Sequence, residues 1–178
     1  MLKKIVIIGP ESTGKSTLSQ QLAAHYQSEW CPEYAREYLL KHGTDYSFED
    51  LATIAKGQLA LEESYTKKLL VKAHTSTPLF IDTDMYVMQV WCSFVFGKVH
   101  PFILDEIKSR TYDLYLLCNT DLPWVKDELR EYPDLETRQK LYDIYYQILN
   151  NQSVPFEIIS GMENERLEKA IQAVDQLL

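Results

Sequence analysis

Lys4-Ile5-Val6-Ile7-Ile8-Gly9-Pro10-Glu11-Ser12-Thr13-Gly14-Lys15-Ser16-Thr17 is the stretch on which the reading of this chain turns. Four apolar residues run into a glycine, a second glycine follows five positions later, and Lys-Ser closes the pattern G-x-x-x-x-G-K-[ST]. Downstream, Leu18, Gln20, Gln21, Leu22, Ala23 and Ala24 are good helix formers. A buried strand, a glycine loop and a helix in that order make a cradle for phosphate. The glycines let backbone N–H groups turn inward with no Cβ in the way, and the helix aims its positive end at the same point. Lys15 then reaches the β- and γ-phosphates, and the Ser16 hydroxyl ligates Mg²⁺. Gly9, Glu11, Ser12, Thr13, Gly14, Lys15, Ser16 and Thr17 are the residues expected to hold ATP.

The totals narrow the classes that can accompany such a loop. A length of 178 residues suits a single domain, 1–178, that buries roughly 70% of its extended-chain surface. A net charge of −8 argues against a general binder of nucleic acid or anionic membrane, which would need a basic face. Cys31, Cys92 and Cys118 are scattered and odd in number, which indicates neither a zinc site nor a disulfide framework. They read as buried thiols in a reducing cytoplasm. The apolar run after Lys3-Lys4 is too short for a secretory signal and leads into the phosphate loop. Val87 to Phe96 is broken by Gln89 and Ser93 and cannot span a bilayer.

Further along, Ser28–Cys31 reads as a short strand and Glu33–Lys41 as a helix stopped at Gly43. Ser47 opens a long helix to about Lys72, Thr75–Pro78 is a turn, and Leu79–Asp82 is a buried strand. Helices follow over Asp84–Phe96 and Pro101–Arg110, then a strand over Asp113–Cys118. Asn119–Pro123 is expected to cap a short helix over Trp124–Arg130, followed by a helix over Leu135–Asn150 and a strand over Phe156–Ile159. Ser160–Glu163 offers a capping box for a last helix. Strands alternating with helices predict an α/β fold of the P-loop NTPase type: three layers, α/β/α, around a five-stranded, mostly parallel sheet. Its ligands sit beyond the carboxyl ends of the strands.

The polar residues of interest fall at those ends. Asp82, after three apolar residues, has the position of an acid that holds Mg²⁺ opposite Ser16. Asp84 either caps the next helix or holds a substrate hydroxyl, and Asp82 can itself be read as a cap. Glu33 and Glu37 lie one helical turn apart with Arg36 beside them. Glu33 is placed to take the proton of an attacking hydroxyl, Arg36 to neutralise phosphate charge. Trp124, Lys126, Asp127, Arg130 and Arg138 belong to a segment, about 119–138, placed like the lid of a small kinase, with Arg130 brought to the transferring phosphoryl group. Tyr34, Tyr86 and Trp124 are candidates to stack on a planar base. The absence of Asn-Lys-x-Asp sets a GTPase reading aside.

The stretches GPESTGKST (9–17), EYAREY (33–38), IDTD (81–84), GKVHPF (97–102) and WVKDELR (124–130) together resemble the ribosylnicotinamide kinase domain of NadR-type NAD-biosynthesis proteins, from Met1 to the last helix. The resemblance implies ATP-dependent phosphorylation of the 5′-hydroxyl of nicotinamide riboside, a small-molecule substrate, in the cytoplasm. It places Gly14, Lys15, Ser16 and Thr17 on the triphosphate, the Glu33–Arg36 and Asp82–Asp84 segments on the riboside and metal side, and Arg130 in the lid. Fuller members of the family add a nucleotidyltransferase domain with an H-x-G-H signature and sometimes a helix-turn-helix. Neither occurs in these 178 residues, so adenylyl transfer and repression are not carried over. A kinase for another nucleoside or small metabolite, and a nucleotide-dependent regulatory ATPase, remain the alternatives.

Overall fold

The computed structural model describes residues 2–72, 77–162 and 164–178 of the chain. The elements run β1 (Lys4–Ile8), α1 (Lys15–His25), β2 (Glu29–Cys31), α2 (Tyr34–His42), α3 (Phe48–Lys72), β3 (Leu79–Asp82), α4 (Met85–Phe96), α5 (Pro101–Ser109), β4 (Leu114–Cys118), α6 (Leu135–Asn150), β5 (Phe156–Ile159) and α7 (Asn164–Asp175). The strands form one sheet in the order β2-β3-β1-β4-β5, and every pairing is parallel. The first strand is therefore central, and the loop that leaves it emerges in the middle of the sheet's carboxyl edge.

Alternation along β1 divides the core between two faces, because successive side chains point to opposite sides of a strand. Ile5 and Ile7 pack with Leu18 and Leu22 of α1 and Ala170 and Val174 of α7. Val6 and Ile8 face the other way, onto Leu69 of α3, Val90 of α4, and Leu141, Tyr145 and Leu149 of α6. Both faces are covered, as the apolar runs of a parallel sheet require. A satellite core joins α2, α3, α4 and α5 around Leu51, Ile54, Met88 and Ile103. A Cβ on Gly57 would lie 2.0 Å from the Tyr34 ring, so that glycine lets α3 approach α2. Tyr34 is thereby committed to packing between these helices.

Local chemistry accounts for most element starts. Ser47 and Asp50 form a reciprocal box: the Asp50 carboxylate accepts from Ser47 N at 2.8 Å, and Ser47 Oγ accepts from Asp50 N at 3.3 Å. His100 Nδ1 caps α5 next to Pro101, and Asp134 caps α6. Gly97, in the left-handed region at φ 66°, ends α4. All three cysteines are free and buried. No helix among the described residues is long and apolar enough to cross a membrane.

One expectation needs correction. The stretch Trp124–Arg130 is not a helix but an extended strap with a single turn at Glu128-Leu129. Seven residues are too few to pay for helix nucleation alone, and here the backbone has other partners. Asp127 Oδ1 accepts from Leu129 N at 3.1 Å, and several strap amides bond to the phosphate loop. Near the start of α7, the Ser160 hydroxyl accepts from Asn119 Nδ2 at 3.1 Å, and the Glu165 carboxylate accepts from Met162 N at 2.9 Å. Residues 75 and 76 of the expected turn, and Glu163 of the expected capping box, lie outside the described residues.

Candidate active site

Above the carboxyl edge of the sheet lies a cleft of about 510 Å³ whose floor is residues 9–17. Gly9 leaves β1 at φ 143° against the end of β4, where a Cβ would come within 2.7 Å of the Cys118 carbonyl oxygen. Gly14, in the left-handed region at φ 77°, then starts α1, and no side chain among the described residues caps that helix. Its first-turn amides are thus left to a ligand, in contrast to the capped α4, α5 and α6.

The loop is braced from within and from below. Thr13 Oγ1 and Lys15 Nζ both donate to the Pro10 carbonyl oxygen, at 2.7 and 2.8 Å. Arg138 of α6, buried, donates to Ser12 O at 3.1 Å and to Leu122 O at 3.1 Å. Arg166 of α7, also buried, donates to Thr13 O at 2.7 Å and pairs with Asp121 at 2.6 Å. Arg138 is therefore a brace under the loop, not part of a mobile lid. Arg166 was missed by sequence reasoning: nothing in a lone arginine on an amphipathic helix marks it as a partner of a loop 153 residues earlier.

Ser16 and Asp82 come together as expected, with the hydroxyl donating to Oδ2 at 2.5 Å. The other carboxylate oxygen, Oδ1, is buried with no hydrogen-bond partner among the described residues. Burial pushes the Asp82 carboxyl above the usual carboxylate range, and Lys15 opposes the shift. An orphaned oxygen beside a hydroxyl fits Mg²⁺, which takes one or two protein oxygens and completes its shell with water and substrate phosphate. In keeping with that, among the described residues no group of three or more His, Cys, Asp or Glu forms a protein-only metal cage.

Asp84 faces elsewhere. Its Oδ1 accepts from the amides of Tyr86 and Val87 at 3.0 and 3.3 Å, and its Oδ2 from the Tyr115 hydroxyl at 2.9 Å. It is buried, does not line the cleft, and caps α4; burial raises its carboxyl to about 7. Of the two readings open for Asp84, the geometry supports the cap. Between the two acids sits Thr83 at φ 87°, a left-handed conformation uncommon for a β-branched residue. Its buried hydroxyl has no partner among the described residues.

Glu33 occupies the N-cap position of α2 without making a capping hydrogen bond, so its carboxylate is free to face the cleft that it lines. Burial, with the Asp82 charge adding to it, raises Glu33 to about 7, while Lys15 and Arg36 pull it down. Glu37 is exposed and outside the cleft. Arg36 lines the cleft but is paired with both oxygens of Asp127 on the strap, each at 3.1 Å. Arg130 also lines it, and its guanidinium donates to the Val125 carbonyl oxygen.

Glu11 and Ser12 line the cleft and bond through their side chains to the strap. The Glu11 carboxylate accepts from the amides of Glu131 and Tyr132 and from the Trp124 indole, and Ser12 Oγ accepts from Val125 N. Part of the cleft's lining is an aromatic wall: Tyr46, Trp91, Phe94 and Tyr132, with Trp91 Nε1 donating to the Tyr46 hydroxyl at 2.9 Å and that hydroxyl donating to Glu131. Tyr34, Tyr86 and Trp124 are not among the lining residues, which corrects the stacking candidates. Tyr86 instead packs beside Tyr115 at 5.7 Å between centroids. The aromatic wall escaped sequence reasoning because it is assembled from three separate elements, and aromatic residues are common throughout this chain.

Comparisons with known proteins agree with this architecture. The chain is similar to the Trifunctional NAD biosynthesis/regulator protein NadR of Escherichia coli (strain K12), with 27% identity over 99% of this chain. That alignment covers 43% of the relative, so the chain spans less than half the length of the curated protein it matches. Among solved structures, a NadR protein in complex with NR superposes with a TM-score of 0.78 at 23% identity, over 99% of this chain and 51% of the other. Thymidylate kinase from Ehrlichia chaffeensis superposes at 0.70 with 14% identity, over 97% of this chain and 98% of the other. The AAA domain family matches residues 4–166, from the first strand through the last helix's arginine under the phosphate loop, and with the fold and the loop geometry in agreement, this chain belongs to that family.

Proposed function

We propose that the protein is an ATP-dependent kinase that phosphorylates the 5′-hydroxyl of nicotinamide riboside, giving nicotinamide mononucleotide. One observation carries the reading: a single cleft is lined by the phosphate loop, by a group of aromatic side chains and by Glu33. The pyridinium ring of nicotinamide riboside is flat and cationic. Tyr46, Trp91, Phe94 and Tyr132 offer it π-faces, and Glu131 offers an opposite charge. The similarity to NadR, and to a NadR structure holding NR, supports the same acceptor.

In this reading the amides of residues 12–17 and the Lys15 ammonium hold the β- and γ-phosphates. Ser16 and Asp82 hold Mg²⁺, which neutralises charge on the phosphate oxygens when bound. Glu33 accepts the 5′-hydroxyl proton as that oxygen attacks the γ-phosphorus; the new O–P bond forms while the bond to the β-phosphate oxygen breaks, and ADP leaves. Its raised pKa keeps Glu33 basic enough to take that proton near neutral pH. Arg130 and Arg36 stabilise the charge on the transferring group, with the strap closing as a lid that excludes water. Asp84 holds the junction that aims Asp82, and takes no part in the transfer. Such a kinase acts in the cytoplasm, where ATP and the salvaged riboside meet.

The likeness to thymidylate kinase favours one second reading, a kinase for a neutral pyrimidine or purine substrate. Assay of the purified protein with Mg·ATP against nicotinamide riboside, uridine, thymidine, adenosine and thymidylate separates the two. The expected outcome is a kcat/KM for the pyridine riboside about five- to thirtyfold above the others, as a cation–π preference of roughly 1–2 kcal/mol implies. Turnover of a neutral base with none of the pyridine riboside overturns the proposal.

A further inference from the structure

Glu11 stands at the second variable position of the phosphate loop, where sequence reasoning makes it a nucleotide contact. Its surroundings argue otherwise. Oε1 accepts from Tyr132 N at 2.5 Å and from Trp124 Nε1 at 3.4 Å, and Oε2 accepts from Glu131 N at 3.0 Å. A carboxylate turned toward a triphosphate would meet like charge at short range; on the strap it meets three N–H donors. The next residue repeats the arrangement, Ser12 Oγ accepting from Val125 N at 2.9 Å. The strap from Trp124 to Tyr132 is thus tied at both ends to one turn of the phosphate loop, and it makes little regular structure of its own.

We propose that Glu11 is a positioning residue that latches the strap to the phosphate loop, so that the grip on the nucleotide and the shape of the acceptor pocket move as one body. The strap carries Glu131 and Tyr132 into the acceptor end and Arg130 toward the transfer point, while the amides beside Glu11 wrap the phosphates. A shift of the loop on taking up nucleotide is passed through one side chain to the wall against which the acceptor lies. The inference rests on the kinase reading for its consequence in turnover, but the latch itself is a property of the folded chain.

Tryptic cleavage after Lys126 tests the latch without an acceptor. Charge-assisted bonds of this kind contribute enough that Glu11→Ala should speed nicking of the folded protein by about tenfold or more. Trp124→Phe, which removes the indole N–H and shortens the ring while leaving the Glu11 carboxylate in place, should speed it about twofold. In turnover, Glu11→Ala should lower kcat, raise KM for the acceptor and increase the ADP formed per acceptor phosphorylated, because an open strap admits water. The nucleotide Kd should stay within about twofold of wild type, which a phosphate ligand or a merely misfolded loop would not allow. Unchanged nicking in both variants overturns the latch, as does a nucleotide Kd raised tenfold with strap protection intact. If nicking responds as expected while nicotinamide riboside is never phosphorylated, the proposed acceptor falls and the latch stands.

Discussion

The phosphate loop and the strap that lies over it are both irregular backbone, yet they are held in opposite ways. The loop is supported by its own Thr13 and Lys15 and by two buried arginines rooted in helices, Arg138 and Arg166. The strap leans on the loop, through Glu11 and Ser12, and on Arg36 through Asp127. Dependence therefore runs one way. The loop's braces lie outside the strap, whereas the strap's amides at both ends bond to the loop. A site built like this lets the strap follow the loop.

Substitutions that strike one region and spare the other sharpen that contrast. The largest effect is expected from Lys15→Ala, which should cut phosphoryl transfer by about 10³-fold, on the order of 4 kcal/mol of barrier. Lys15 bonds to Pro10 and, among the described residues, shares no hydrogen bond or ion pair with the strap, so protection of Lys126 from trypsin should be unchanged in the same variant. Strap opening on loss of Lys15 would break the one-way dependence, and unchanged turnover would remove the loop from the chemistry.

Glu33→Gln comes next, at about 10²-fold in kcat. Because the Glu33 carboxyl is raised to about 7 and acts as a base when ionised, wild-type activity should climb with pH and level off above about 7. The glutamine variant should lose that acid limb; a pH–rate profile that keeps its inflection places the base elsewhere.

Asp84→Asn has the smallest effect on the site and lies outside both regions. With a folded pKa of about 7 against about 3.9 when unfolded, wild-type Asp84 keeps a proton in the folded state that the unfolded chain releases. Its contribution to stability therefore falls as pH rises from 4 to 7 and is level beyond. An asparagine still caps α4 and still meets the Tyr115 hydroxyl, without that titration. Denaturant midpoints should show the variant gaining on wild type across this window, by up to about 4 kcal/mol. A constant difference from pH 4 to 8 would refute the assignment.

What could be read in the chain and what could not follows the same division. The β1–loop–α1 unit is local: strand, glycines and helix lie within 25 residues and have the expected bounds, although the Glu11 and Ser12 side chains bond to a strap that their neighbours do not announce. Helix α6 and strand β5 have the predicted bounds because their apolar spacing is strong and their ends are marked by Asp134 and Pro155. Asp82 could be placed at the site from three apolar residues and an acid. The strap was read as helix because Trp124–Arg130 carries helix-compatible residues, and the bonds that defeat the helix come from Glu11 and Ser12, more than 110 residues away. The aromatic wall was beyond reach for the same reason: Tyr46, Trp91 and Tyr132 become neighbours only when α4 and the strap are laid side by side.

Thr83 carries a further consequence. In an extended chain, residues two apart point to the same side, and Asp82 and Asp84 would stand shoulder to shoulder over the cleft. Two carboxyls so arranged share a single proton and answer jointly to every change in their surroundings. The left-handed step at Thr83 turns the second acid onto the start of α4 and the Tyr115 hydroxyl and leaves the first lining the cavity beside Ser16. One backbone angle thus divides two neighbouring acids between two tasks, one facing the ligand and one holding the helix.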